Sequence, residues 1–303
     1  MTPETPICVR DLHKSFGRTS VLSGVSFAVP AGQTLALLGR NGAGKTTTIK
    51  ALMGLLEPES GVLDVAGFDP QEKPIEVRKR TGYLAEDQQM FGWMNVDQLI
   101  RFVAPFYETW DHDAARRYVD QFELPLRTKV KHLSKGQGVR LGLLLALSHH
   151  PKVLILDDPA LALDPIMRME FNRDLVSHLQ QGGCTVLYSS HLLAEVEAVA
   201  DSVAILDGGR IVRHAATDEL RHQVKRLIFP AEHLAAIAPR LQLLDLAIRG
   251  QEANVVVDGA EAAIAVVGEW DIDPKVVALS LDEIFAAFVT GRVEYEADAV
   301  TMS

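Results

Sequence analysis

The chain has 303 residues, 48% hydrophobic and 23% charged, enough for one large or two smaller packed domains and too apolar for a disordered protein. Its formal net charge of -10 argues against a nucleic-acid binder, which would carry a basic face. The two distant cysteines, Cys8 and Cys184, support neither a disulfide framework nor a metal site and fit a reducing compartment. No apolar run approaches the ~20 residues that span a bilayer, and MTPETP at the start lacks the pattern of a signal peptide. A soluble chain that stays inside the cell is expected.

The first 30 residues alternate in short segments broken by glycine turns, which predicts a small antiparallel sheet. Buried strands are expected at Leu35–Leu38, Val153–Leu156, Thr185–Tyr188 and Val203–Leu206. Helical patterns lie between them at Lys45–Leu56, Ser134–Ser148, Pro165–Gln180 and Leu192–Ala200. This alternation defines an α/β core with a largely parallel sheet, carrying a helical insertion over residues 90–150. His149 and His150 end a helix just before Pro151, where imidazole suits the helix dipole, and are read as helix-end residues. From Leu227 the character changes: LIF, LLDLAI, NVVV and IAVV read as short strands, and SLDEIFAAFV as a closing helix with Ser280 and Glu283 at capping-box spacing. Two domains follow, residues 1–225 and a small α/β accessory domain over 226–303.

GRNGAGKTT, residues 39–47, sits between an apolar strand and an apolar-periodic helix, the setting that a G-x-x-x-x-G-K-T phosphate loop requires. Gly39, Asn41, Gly42 and Gly44 form a loop whose backbone N–H groups can wrap phosphates, with the helix N-terminus adding a favourable dipole. Lys45 is expected to reach the β- and γ-phosphates of ATP, and Thr46, followed by Thr47, to bind Mg²⁺. Asp157 ends a buried strand, a costly place for a carboxylate unless it faces an ion or a cleft, and is the expected partner of Mg²⁺. This makes the core a P-loop NTPase.

LSKGQ, residues 133–137, lies about twenty residues upstream of Asp157. With the phosphate loop it resembles the nucleotide-binding subunits of ATP-binding cassette (ABC) transporters, whose signature is LSGGQ. The resemblance spans residues 7–222, with the motifs in the family's order. It implies that Phe16 stacks on adenine, that Glu86 takes the Q-loop position where glutamine is usual, that Asp164 lies in the D-loop and that His191 is the switch histidine. Read from its residues alone, Phe16 could simply be core, and a lone histidine such as His191 is usually structural or exposed, so only the family position lifts it. Ser134 and Gln137 form a capping box, and Gly136 leaves its N–H unobstructed at a helix end suited to an anion. In the family that helix end closes on the ATP of the opposite subunit. The resemblance therefore implies a second ABC domain, in a homodimer in preference to a heterodimer, and an integral membrane permease, with no nucleic acid. It places the chain on the inner face of the membrane.

The residue after Asp157 is Asp158, where the family normally has the glutamate that polarises the attacking water. One methylene fewer withdraws the carboxylate by about 1.5 Å, and errors near 1 Å can cost about a hundredfold. PALALD replaces the usual P-T-S-G-L-D, and Glu86 adds negative charge near the metal, possible as a ligand itself. Weakened hydrolysis is expected at a site that still binds ATP, with Asp158, His191, Lys45 and Glu86 as the catalytic set. The alternatives are a soluble nucleotide switch and the degenerate-site member of a heterodimeric pair. Met90, Phe91, Trp93 and Met94 would suit the groove that receives a permease helix, or could be core of the insertion. The closing LDEIF suggests an exporter.

Overall fold

The uninterrupted apolar runs lie side by side in the computed structural model, which describes residues 5–161, 163–191, 197 and 199–292. The chain begins with β1 (Ile7–Phe16), β2 (Thr19–Val29), β3 (Thr34–Leu38), helix α1 (Lys45–Leu52) and β4 (Ser60–Val65). Strands β1, β2 and β4 form the expected antiparallel sheet, in the order β2-β1-β4. Helix α2 (Pro74–Arg80) leads to β5 (Thr81–Leu84), and α3 (Val96–Val103), α4 (His112–Gln121) and α5 (Lys135–Leu147) make up the helical insertion. Next come β6 (Val153–Asp157), α6 (Pro165–Gly182), β7 (Thr185–Ser190), β8 (Ser202–Asp207) and β9 (Arg210–Ala216). The helix expected at Leu192–Ala200 lies mostly outside the described residues.

The central sheet has the order β5-β6-β7-β3-β8-β9, and its first five strands run parallel. β3, β6 and β7 are buried along their whole length, as mostly apolar strands covered on both faces are, with the polar Asp157, Ser189 and Ser190 at their carboxyl ends. Because the strands are parallel, their carboxyl ends share one edge. The phosphate loop after β3, Asp157 at the end of β6, His191 after β7 and Glu86 after β5 therefore collect there, beside the strand-order reversal where open α/β sheets bind ligands. β5 was missing from the sequence-based strands because Thr-Gly-Tyr-Leu is short and carries a glycine. The structure explains that glycine: a Cβ on Gly82 would lie 2.3 Å from the Ala146 carbonyl oxygen of α5. Helix α1 stops at Leu52, short of the expected Leu56, because Gly54 turns the chain at φ +62°.

Contacts divide the chain into two compact units, Met1–His214 and Ala215–Ser303. This is earlier than the expected break after residue 225, since helix α7 (Thr217–Gln223) belongs with the second unit. That unit contains β10 (Val224–Pro230), β11 (Leu243–Arg249), β12 (Glu252–Asp258), helix α8 (Ala260–Gly268), β13 (Lys275–Ala278) and helix α9 (Leu281–Thr290). Its antiparallel sheet has the order β11-β12-β10-β13. IAVV is not a strand: it lies in α8, whose Ala260, Ala263 and Val267 bury one face at helical spacing. The strand expected there is supplied by KVVA in β13, while α9 has the expected Ser280–Glu283 capping box.

His149 departs from its expected role. It is buried and stacked on Tyr107 at 4.0 Å between ring centroids, so it is no cation at a helix end. Its ring nitrogens meet no partner of good geometry among the described residues, and burial outweighs what the nearby Leu145 and Thr81 backbone returns, pushing its pKa down to about 4. His150, in contrast, is exposed and meets Asp111 at 3.0 Å. A folded-state pKa below the unfolded value means that the unfolded chain takes up the proton first. Stability should therefore fall as the pH drops from about 6.5 to about 4, by about 3 kcal/mol at most. His149→Phe, which can keep the stack, should flatten that part of a ΔG-against-pH curve; equal slopes in both proteins would refute the assignment.

Candidate functional site

The phosphate loop is built by glycines that meet different constraints. Gly42 and Gly44 adopt φ of +83° and +111°, a region hostile to other residues. Gly39 is needed for closeness instead, since a Cβ there would lie 2.7 Å from the Leu206 carbonyl oxygen. Asn41 stands exposed at the tip, and Thr47 sits half-buried in the first turn of α1. Lys45 is buried and its ammonium donates to the Gly39 carbonyl oxygen at 2.8 Å, so the lysine is folded back over its own loop.

The two carboxylates at the end of β6 take different partners. Asp157 accepts from the Thr46 hydroxyl at 3.2 Å and the Ser189 hydroxyl at 2.8 Å. Burial raises its pKa; these two hydroxyls pull it back, and the negative charges of Glu86 and Asp158 add to the rise. Asp158 lies 3.5 Å from the Lys45 ammonium and 2.8 Å from His191 Nδ1, and its backbone N–H donates to the Ser189 carbonyl oxygen and hydroxyl. The Lys45 and Asp158 side chains are only 6% and 7% exposed, so solvent does little to screen this pair. Asp158 also has φ +44°, a left-handed backbone in which aspartate is far better tolerated than glutamate. The departure from the family's glutamate thus coincides with a backbone that favours the shorter acid.

Ser189 was not among the residues expected from sequence, although it holds the Asp157 carboxylate through its hydroxyl and the Asp158 backbone N–H through its hydroxyl and carbonyl oxygens. Its signal was the SS pair before His191, legible only once β6 and β7 are known to pair with Asp157 opposite Ser189. Glu86 is exposed, and its charge is felt by Asp157 and Tyr83, which puts it beside the same cluster. Phe16 is 52% exposed at the end of β1, with the Lys14 ammonium 5.5 Å above its ring, so it is not core.

A second cluster forms around the signature. Ser134 caps α5 by accepting from the Gln137 N–H, and Gln137 returns the bond to the Ser134 N–H. Gly136 is buried, and a Cβ there would lie 2.8 Å from Met167 Sδ, so this glycine also permits close packing of α5 on α6. Asp164 caps α6, accepting from the Ile166 and Met167 N–H groups. The aromatic segment after Glu86 divides: Met94 is buried, whereas Trp93 is 66% exposed and Phe91 is exposed beside it. Phe91 meets Phe102 at 5.3 Å, and Phe102 meets Phe106 at 5.5 Å, both of them exposed.

A phosphate loop at a parallel strand's carboxyl end, facing two carboxylates and a histidine, defines a nucleotide-binding ATPase cassette. Residues 22–161 match the ABC transporter family. The ABC transporter ATP-binding protein YxlF of Bacillus subtilis is 34% identical over 74% of this chain and 75% of its own length. The daunorubicin resistance ATP-binding protein DrrA3 of Streptomyces coeruleorubidus is 32% identical over 93% of this chain and 95% of its own. The solved ATP-binding subunit of an ABC transporter superposes with a TM-score of 0.66 at 30% identity, over 72% of this chain and 93% of that one. The chain belongs to the ABC transporter ATP-binding proteins and is the ATPase subunit of an ATP-powered transporter. No helix among the described residues is long and apolar enough to cross a membrane.

Removing the Ser189 hydroxyl takes away the closest donor to Asp157. Ser189→Ala should therefore raise the Asp157 pKa further, read from its carboxyl carbon-13 titration. An unmoved titration would show that another group holds this carboxylate.

Proposed function

We propose that this chain binds ATP with Mg²⁺ at the end of the β3, β6 and β7 strands and drives export by closing head to tail on a second cassette. The observation that carries the reading is the grip on the β6 carboxylates, held from one side by Lys45 and Thr46 and from the other by Ser189 and His191. Phosphate oxygens entering the loop would compete with Asp158 for the Lys45 ammonium, so binding and release of the carboxylate are linked. The Thr46 hydroxyl and Asp157, with Glu86 nearby, suit a cation shared with phosphates. Among the described residues no three acidic, histidine or cysteine side chains form a metal cage of their own, and Mg²⁺ is commonly held by one or two carboxylates plus substrate phosphates. When bound, the ion would neutralise charge on the transferring phosphoryl group.

In this reading His191 orients Asp158, and Asp158 polarises the attacking water from a carboxylate one methylene shorter than the usual one. Hydrolysis is weakened as a result, and Phe16 offers its exposed ring to adenine. The loop around Gly39, Asn41, Gly42, Gly44, Lys45 and Thr47 holds the phosphates. Ser134, Gly136 and Gln137, with Asp164, present the face that completes the partner's site, in a homodimer. The exposed Phe91, Trp93, Phe102 and Phe106 offer an apolar surface to an integral membrane permease, which holds the chain on the inner face of the membrane. Export is supported by the drug-resistance relative, whose similarity extends through the second unit. Asp158 favours one second reading, that of the weak-site member of a heterodimeric pair.

Two experiments test these proposals. With hydrolysis blocked, ATP should drive association in sedimentation runs, and Ser134→Arg should weaken it at least tenfold, the scale of one charged group buried without a partner. A chain that stays monomeric in every nucleotide state, with the permease and any partner cassette present, would rule out closure. For Asp158→Glu, kcat should rise about tenfold to a hundredfold with ATP affinity unchanged, while Tm falls slightly because glutamate is strained at a left-handed backbone. An unchanged kcat would place the limit elsewhere.

A further inference from the structure

Two unfavourable features meet at one point of the first unit. Gly142 lies inside α5, where glycine weakens a helix. The amide oxygen of Gln88 is buried with no hydrogen-bond partner among the described residues, although most such groups are paired. They are in contact: a Cβ on Gly142 would lie 2.3 Å from Gln88 Oε1, 2.9 Å from its Cδ and 2.5 Å from Leu84 Cδ1. The missing side chain on α5 is the seat that receives Leu84, the last residue of β5, and Gln88. Glu86 lies between those two residues, exposed, with its charge felt at Asp157.

The chain on either side is fastened to the same helical layer. Gly82 allows β5 to press against the Ala146 carbonyl of α5. Beyond Gln88, residues 92–97 are zipped to the segment that leads into the signature. The Lys131 N–H donates to the Gly92 carbonyl at 3.2 Å and the Val130 N–H to Met94 at 2.9 Å, while the Val96 and Asp97 N–H groups donate to the Thr128 and Leu126 carbonyls, each at 3.1 Å. A shift of Gln88 is thus applied to α5 about 12 Å along the helix axis from Ser134, eight residues at 1.5 Å each, through a rigid and doubly capped element.

We propose that Gln88, seated against Gly142, is a positioning residue that ties the Glu86 loop to the signature helix, its amide oxygen finding a partner only when the cassette closes on nucleotide. This rests on the closure reading above. In this arrangement an amide oxygen buried without a partner among the described residues adds nothing to stability. An apolar residue of the same length would fit the seat at less cost, so the amide is retained for another arrangement of the same groups.

Gln88→Met keeps the length and removes the amide, which gives opposite expectations for stability and function. In the full-length chain Tm should stay level or rise and ATP affinity should stay within about twofold. The association driven by a non-hydrolysable ATP analogue and kcat should both fall about tenfold, with KM unchanged. Gly142→Ala, which evicts Gln88 from its seat, should lose association in the same way. A Gln88→Met protein that associates and turns over like wild type overturns the proposal, whatever happens to Gly142→Ala. A wild-type chain that never associates fails the closure reading itself, a separate result seen in the control.

Discussion

Two neighbouring carboxylates leave β6 in a place where almost no water reaches them, and the first unit is organised around making that tolerable. An unpaired buried charge is costly, and breaking a buried pair by removing one partner typically costs about 3–5 kcal/mol. Each acid therefore has its own set of neighbours: hydroxyls of Thr46 and Ser189 for Asp157, cationic Lys45 and the His191 imidazole for Asp158. These partners come from the end of β7 and the start of α1, so the sheet order and the glycine loop must both be right before the charges can be buried. The same arrangement leaves Asp158 and a phosphate as rivals for one ammonium group. In the proposed reading, a phosphate that takes up Lys45 also loosens the carboxylate that polarises the attacking water.

The helical insertion depends on a different kind of constraint, the close approach of neighbouring elements to glycine positions on α5 and β5. Gly82, Gly136 and Gly142 each sit where a single Cβ would collide with a neighbouring element. Through them α5 fits tightly against β5, against the residues after it and against Met167 of α6. The signature helix is consequently braced by the loop that carries Glu86 and by the helix capped by Asp164. Glycines of this sort have little to do with turns. They mark where one element must approach another more closely than a side chain permits, and they allow a small displacement to be passed on.

The second unit is an independent antiparallel sheet with its own core of Leu227, Phe229, Val255 and Val257. DrrA3 matches the chain along both units, which makes the second unit part of the relative's design as well.

Local sequence alone determined the parts whose signal is local. The strands at β3, β6, β7 and β8 were legible as unbroken apolar runs, and the phosphate loop, the Ser134 and Ser280 caps and the closing helix followed from short-range spacing. Their physics acts within a few residues, so a few residues suffice to show it. Tertiary structure decided what depends on residues far apart in the chain. Ser189 matters because β7 lies beside β6 in a register that sets it opposite Asp157. His149 is neutral because Tyr107 covers it, Gly136 is a packing residue because Met167 arrives there, and IAVV is helical because its apolar side needed the sheet's inner face. Burial and close approach are properties of pairs of elements, and no window of sequence contains both members of such a pair.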